Sequence, residues 1–172
     1  NNDQESGFEA LLKDNVRVLE AFVDGLGERL RGKPFLFTSS VMAAVAERLE
    51  ADMSIRNQEK VLAYGRSKLL AERALKVKAE QYGFTPIILR LGSVYGDRSA
   101  AGLLKSVDGL AGLSLMVPIP FLPGRASVIH VTDVARLLAR LIQQPCAAGV
   151  YNADDASPQA IGALVEAAAA KT

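Results

Sequence analysis

The chain has 172 residues, of which 49% are hydrophobic; that is enough for one compact domain with a substantial core, and it excludes a disordered chain. Twenty basic and 19 acidic side chains nearly cancel to a formal charge of +1. They are interspersed, which excludes the one-signed patch that grips a phosphate backbone or an anionic membrane, so neither nucleic acid nor membrane is an expected partner. Cys146 is the only cysteine, so no intramolecular disulfide can form, no Cys and His cluster has metal-ligand spacing, and a buried, inert thiol is expected. The opening NNDQESGFEA has neither a basic nor an apolar leader region, and no apolar run reaches membrane-spanning length, which predicts a cytoplasmic protein. A first residue other than methionine and an ending inside an alanine-rich helical pattern predict a piece of a longer polypeptide.

From Phe8 to Leu30 the apolar residues Leu11, Leu12, Val16, Leu19, Phe22 and Val23 recur at three- and four-residue steps, the period of an amphipathic helix, which Gly25, Gly27 and Gly32 loosen and end. PFLFTSS, Pro34 to Ser40, reads as a buried strand delivering the hydroxyls of Thr38, Ser39 and Ser40 to its C-terminal end. Val41 to Asn57 has no clean period and reads mostly as loop, with a short helical piece over Ala43 to Ala51. A long helix is predicted from Glu59 to Tyr82, closed by Gly83. TPIILRLGSVYG then holds a second buried strand, and a strand, a helix and a strand in that order predict a parallel crossover. Further on come a short helix over Leu103 to Leu113, a proline-punctuated loop MVPIPFLPG and a strand in ASVIHV. A helix in TDVARLLARLIQQ, capped near Thr132 or Asp133, a strand GVYNA and a last helix with Ser157 as cap and Pro158 at its first position complete the pattern. Alternation of apolar strands and helices defines an α/β sheet protein.

Tyr64 and Lys68 lie four residues apart on the long predicted helix, about 40° apart on its wheel, so their tips can meet. With four tyrosines and eight lysines in the chain, this spacing arises by chance in about one shuffled sequence in five. The same wheel puts Ala63, Ser67, Leu70, Ala74 and Val77 on a core stripe, turns Arg66, Arg73, Lys76 and Glu80 to water, and leaves Tyr64 and Lys68 at the border. Leu62 and Leu69 fall on its polar side. The ordinary reading is a boundary tyrosine with a lysine snorkelling beside it. The chemical reading starts from the strand end. In an open parallel sheet ligands bind beyond the carboxyl ends of the strands, and Ser40 stands at such an end, 24 residues before Tyr64. A free phenol has a pKa near 10, and a neighbouring ammonium favours the phenolate, which equips the pair for proton transfer while Ser40 holds a hydroxyl or carbonyl. A serine at a strand end also has a plain reading as a turn former.

FLFTSS, YGRSKLLAERAL, ILRLGSVYGDR, VIHVTDVARLLARLI and GVYNADD resemble, in order and spacing, the catalytic half of extended short-chain dehydrogenases/reductases of the NAD-dependent epimerase/dehydratase family. The resemblance covers residues 8 to 165. It implies a partial Rossmann-like, doubly wound parallel sheet with a small C-terminal substrate-binding part, divided as residues 1–100 and 101–172. It also implies a catalytic Ser40, Tyr64 and Lys68. On the cofactor side it places Asn15, Ser39 and Leu91 beside Tyr64 and Lys68, with NAD or NADP as cofactor. Ser40, Ser93 and Arg125 would contact a small-molecule substrate, and the long helix with the one before it would form a homodimer. Two residues of the same motifs have other readings: Arg90 as an ion-paired structural residue and His130, the only histidine, as structural.

The sequence also departs from the family. The first strand and the Gly-rich turn that seats a pyrophosphate on a helix N-terminus are not among these residues, and GLGERLRG follows a predicted helix rather than a strand. Val41 and Met42 stand where nucleotide-sugar dehydratases carry Asp-Glu, which disfavours dehydration. Ala44 and Val45 replace the usual aromatic-glycine pair. The expectation is therefore an NAD(P)-dependent epimerase or reductase for a sugar nucleotide or another alcohol/ketone. The alternative is a non-catalytic module that keeps the fold for binding or assembly.

Overall fold

The computed structural model describes residues 2–51, 59–96, 125–155, 158–161 and 163–164. Helix α1 (Asn2–Leu12) runs through one π-helical turn (Lys13–Arg17) into α2 (Val18–Leu26), and a 3-10 turn (Gly27–Leu30) ends the run. The positive φ of Gly27 and Gly32, +48° and +70°, marks the two glycines that stop it. Strand β1 (Pro34–Ser40) matches its expected limits, and α3 (Val41–Ala51) starts on the very next residue. Helix α4 (Glu59–Tyr82) and β2 (Thr85–Leu91) follow, with Gly83 at φ +69° between them donating its N–H to the Ala79 carbonyl. Strands β3 (Ser93–Tyr95), β4 (Arg125–Ala126) and β5 (Val128–His130) lead to α5 (Val131–Gln143), β6 (Gly149–Ala153) and β7 (Gln159–Ala160). The α/β class with a parallel sheet, of order β1-β2-β6, is as the sequence predicts. No helix among the described residues is long and apolar enough to cross a membrane.

The chain divides into two compact units, Asn1–Arg90 with Leu141–Asn152, and Leu91–Arg140 with Ala153–Thr172. In the first, Val23, Leu30, Leu75, Ala79, Phe84 and Ile88 form the main core, with Phe35, Phe37 and Val150 packed against it. Each such side chain removed from water contributes about 1.5–3 kcal/mol. Gly32 donates to the Gly83 carbonyl and Thr85 to the Lys33 carbonyl, so the turns entering β1 and β2 are tied and the two strands start level. In the second unit β3 pairs parallel with β5, Ser93 opposite Val128, and β4 pairs antiparallel with β7, Arg125 opposite Ala160. A small core of Ile129, Val134 and Ala153, with Leu91, Leu137 and Leu138 against it, lies beneath.

Four expectations need correction. Val41–Ala51 is one continuous helix rather than mostly loop; its short apolar face of Ala43 and Ala46 packs on Leu69, too small a stripe to show as a period. Consequently Leu69 is 2% exposed instead of lying on a polar side, and Val77, assigned to the core stripe, is 62% exposed. Helix α4 is covered from two directions, so a single-stripe wheel misplaces its residues. Thr132 and Asp133 lie inside the first turn of α5, and the ring Nδ1 of His130 accepts the Thr132 N–H at 3.2 Å and serves as the cap. Gln159 and Ala160 are strand, not helix, because β4 pairs with them, so Pro158 is not a first helical position. Cys146 is half-buried. The expected helix over 103–113, the MVPIPFLPG loop, Leu62's side chain and residues 52–57 lie outside the described residues.

Candidate active site

Strand β1 ends as α3 begins, and Ser40 sits at that junction as the helix cap: its Oγ accepts the Met42 N–H at 3.2 Å. The turn-forming reading of Ser40 is thus correct in geometry, and it leaves the hydroxyl proton available for donation. Helix α4 comes up against this corner at Gly65. A Cβ there would collide with the Met42 carbonyl oxygen, so only glycine lets the turn bearing Tyr64 lie against the first turn of α3. Sequence inspection does not single out Gly65, because a glycine inside a helix reads only as a weak point.

Tyr64 is 43% exposed, and the Lys68 Nζ lies 5.9 Å from its ring centroid and 5.6 Å from the ring of Phe37 on β1. Burial lowers the Lys68 pKa below its ordinary value by disfavouring the charged form. Lys68 makes no ion pair among the described residues. The Lys68 ammonium thus lies beside the Tyr64 ring, in the same unit as Ser40.

Asn15 lies in the π-helical turn, and its Nδ2 donates to Ser67 Oγ at 3.1 Å; Ser67 in turn donates to the Tyr64 carbonyl at 2.8 Å. Asn15 is thereby joined to the backbone of Tyr64 through a fully buried serine. A widened turn of this kind re-aims the side chains it carries, which a 3.6-residue period does not reveal.

The hydroxyl of Ser39 points into a different network. It donates to Glu72 Oε1 at 2.5 Å, Arg90 Nη2 donates to Glu72 Oε2 at 2.7 Å, and Arg90 Nη1 pairs with Glu47 at 2.9 Å. Glu72 is 1% exposed. The Glu72 carboxylate raises the pKa of Arg90, with Glu47 adding to the effect. The ion-paired reading of Arg90 is correct, while Ser67 and Glu72 were not anticipated. The available signal was an arginine inside the apolar run IILRL, which requires a buried carboxylate partner.

In the second unit, Leu91 packs into the apolar cluster, leaving its backbone as the part able to meet a ligand. Ser93 is half-buried on β3 and its N–H donates to the Ser127 carbonyl at 2.8 Å. Arg125 is exposed; its Nε and Nη2 donate to the Pro158 carbonyl at 3.0 and 2.7 Å, which fixes the guanidinium. The Tyr95 ring stands edge-on to His130 at 5.0 Å.

A serine cap at the carboxyl end of β1, a half-exposed tyrosine and a desolvated lysine thus belong to one unit. A sequence model of the NAD dependent epimerase/dehydratase family matches residues 1–153, and the chain belongs to that family. No curated protein sequence matches it. Among solved structures, UDP-N-acetylglucosamine 4-epimerase from Methanobrevibacter ruminantium M1, in complex with UDP-N-acetylmuramic acid, is similar over 90% of this chain and 51% of its own, at 20% identity and a TM-score of 0.64. RMD from Pseudomonas aeruginosa, complexed with NADPH, is similar over 90% and 56%, at 21% identity and a TM-score of 0.64. The UDP-glucose 4-epimerase of Thermus thermophilus, in complex with NAD, is similar over 80% and 48%, at 23% identity and a TM-score of 0.55. These likenesses establish the fold, and the chain spans about half the length of each structure. The residues present fit the nicotinamide end of such a cofactor: a half-buried ammonium without a carboxylate partner among the described residues suits a pair of ribose hydroxyls.

Proposed function

We propose that this chain is the catalytic and substrate part of an NAD(P)-dependent epimerase or reductase acting on a sugar nucleotide or a similar alcohol or ketone. The observation that carries the reading is the juxtaposition of Tyr64 with a desolvated Lys68 that has no carboxylate partner among the described residues, in the unit that also holds Ser40. Ser40 donates its hydroxyl proton to the reacting oxygen and holds it. Tyr64 takes or returns the proton of that oxygen, and Lys68 supports the negative charge that develops on the phenol. The nicotinamide, when bound, accepts or returns the hydride from the same carbon. Asn15, Ser39 and Leu91 belong to the cofactor side, Ser39 and Leu91 through their backbone since their side chains are engaged elsewhere. Ser93 and Arg125 belong to the substrate side.

Residues 1–100 form the part that carries the chemistry and 101–172 the part that grips substrate. Val41 and Met42 carry no acid or base beside Ser40, which favours epimerisation or reduction over loss of water. The exposed Val18, Phe22 and Val77 on α2 and α4 favour a homodimer through these helices, although the buried Leu69 no longer counts toward it.

In the intact protein, Tyr64→Phe lowers kcat with a UDP-sugar by about 10²–10⁴-fold while NADH affinity, read by fluorescence, stays within about threefold. Turnover retained in that variant overturns the assignment.

A further inference from the structure

Glu72 stands one helical turn beyond Lys68 and two beyond Tyr64, on the same stripe of α4. Both oxygens of its buried carboxylate are engaged. Oε1 receives the Ser39 hydroxyl at 2.5 Å and Arg90 Nε at 3.0 Å; Oε2 receives Arg90 Nη2 at 2.7 Å and Nε at 3.2 Å. Through Arg90, the same group reaches Glu47 on α3. One carboxylate on α4 thus holds β1 and β2 directly and α3 at one remove.

Stability alone is a poor explanation for this arrangement. Well-packed apolar side chains of similar volume often hold a fold as firmly as a buried ion pair does, because they avoid the desolvation of two charges. What apolar side chains do not supply is direction. A carboxylate fixes where the Ser39 hydroxyl points, and the peptide leaving Ser39 is the one from which Ser40 projects.

We infer that Glu72 is a positioning residue: it clamps Ser39 so that the Ser40 hydroxyl is held in register with Tyr64 and Lys68 on the same helix. The inference rests on the proposed reading of the site and adds a role for a residue that touches neither substrate nor cofactor. Misplacing a reacting group by about 1 Å costs about 10²-fold in rate, so releasing the clamp is expected to appear in kcat.

The test uses the intact protein with NAD and either UDP-glucose or UDP-N-acetylglucosamine, comparing Ser39→Ala, Glu72→Gln and Glu47→Gln. Ser39→Ala removes the clamp and leaves the ion pair with Arg90 in place, so it remains informative where Glu72→Gln fails to fold. Expected is a fall in kcat of about tenfold or more in Ser39→Ala, with KM and NADH affinity within about twofold. Amide exchange at Ser40, Val41 and Met42 quickens by about tenfold, while exchange at Ala79 to Tyr82 is unchanged. Glu47→Gln, which alters only the exposed arm, keeps kcat within about twofold. Wild-type kcat in Ser39→Ala overturns the inference. So does a loss confined to KM or NADH affinity, and so does exchange that is unchanged at the junction or raised equally throughout α4. An unmodified protein without turnover, or full turnover in Tyr64→Phe, instead overturns the proposed function, and the exchange measurement still reads the clamp.

Discussion

Helix α4 treats two charged side chains one turn apart in opposite ways. Glu72 is enclosed, with a hydroxyl on one oxygen and a guanidinium across both. Lys68 is half-buried, has the rings of Tyr64 and Phe37 beside its ammonium, and is held below its ordinary pKa by burial. The difference separates a charge tied into the fold from one with no carboxylate partner among the described residues. A carboxylate engaged on both oxygens has little left to offer a ligand, whereas a desolvated ammonium without a counter-ion is stabilised further by any acceptor that reaches it.

That contrast can be broken at either charge. The largest expected effect is at Glu72: its replacement by alanine leaves Arg90 partly buried with only the exposed Glu47 as partner, and chemical denaturation of the intact protein should show a loss of about 3–5 kcal/mol. A smaller loss, about 1–3 kcal/mol, is expected for Gly65→Ala, where the new methyl group has to push back the Met42 carbonyl. That variant also separates the Tyr64 turn from Ser40, so its kcat should fall more than its stability predicts.

The smallest effect has the opposite sign. The folded-state pKa of Lys68 lies below its ordinary value of 10.5, so the unfolded chain binds more protons between the two values and stability rises with pH through that window. Below the window the folded state carries the full penalty of a desolvated charge. Lys68→Met therefore raises the melting temperature at pH 7 while abolishing turnover, and scans at increasing pH should show its advantage shrinking toward about pH 10.5, where the wild-type amine becomes neutral in both states. A melting temperature lowered at pH 7 would mean that the ammonium is a structural partner after all.

Much of the scaffold was legible because its signals are local. The limits of β1 and α4, the Gly83 stop and the strand in IILRL all follow from apolar runs and turn residues within a few positions. The pairing of Tyr64 with Lys68 was legible for the same reason, being one helical turn. What was hidden depends on contacts between distant segments. The burial of Leu69 requires α3, whose two alanines give no periodic signal. The Ser67 hydroxyl needs Asn15, 52 residues away in sequence, and that of Ser39 needs Glu72, 33 residues away. In each case a plausible local rule was overruled by packing that no window of sequence contains.

The π-helical turn at Lys13–Arg17 has a consequence for how the chain tolerates length changes. Such a turn spends one residue more than an α-helical turn on the same circuit of the axis. Deleting that extra residue allows an unbroken α-helix with both flanks on the faces they now present, whereas straightening the turn with the residue retained rotates everything on the N-terminal side by about 100° relative to α2. Phe8 would be carried off the Arg66 guanidinium it now underlies, and the Asn15 amide would swing away from Ser67. A straightening that tidies the helix by every propensity measure would thus uncouple it from the backbone of Tyr64, so the irregular turn works as a counted spacer whose length is set by the neighbouring helix.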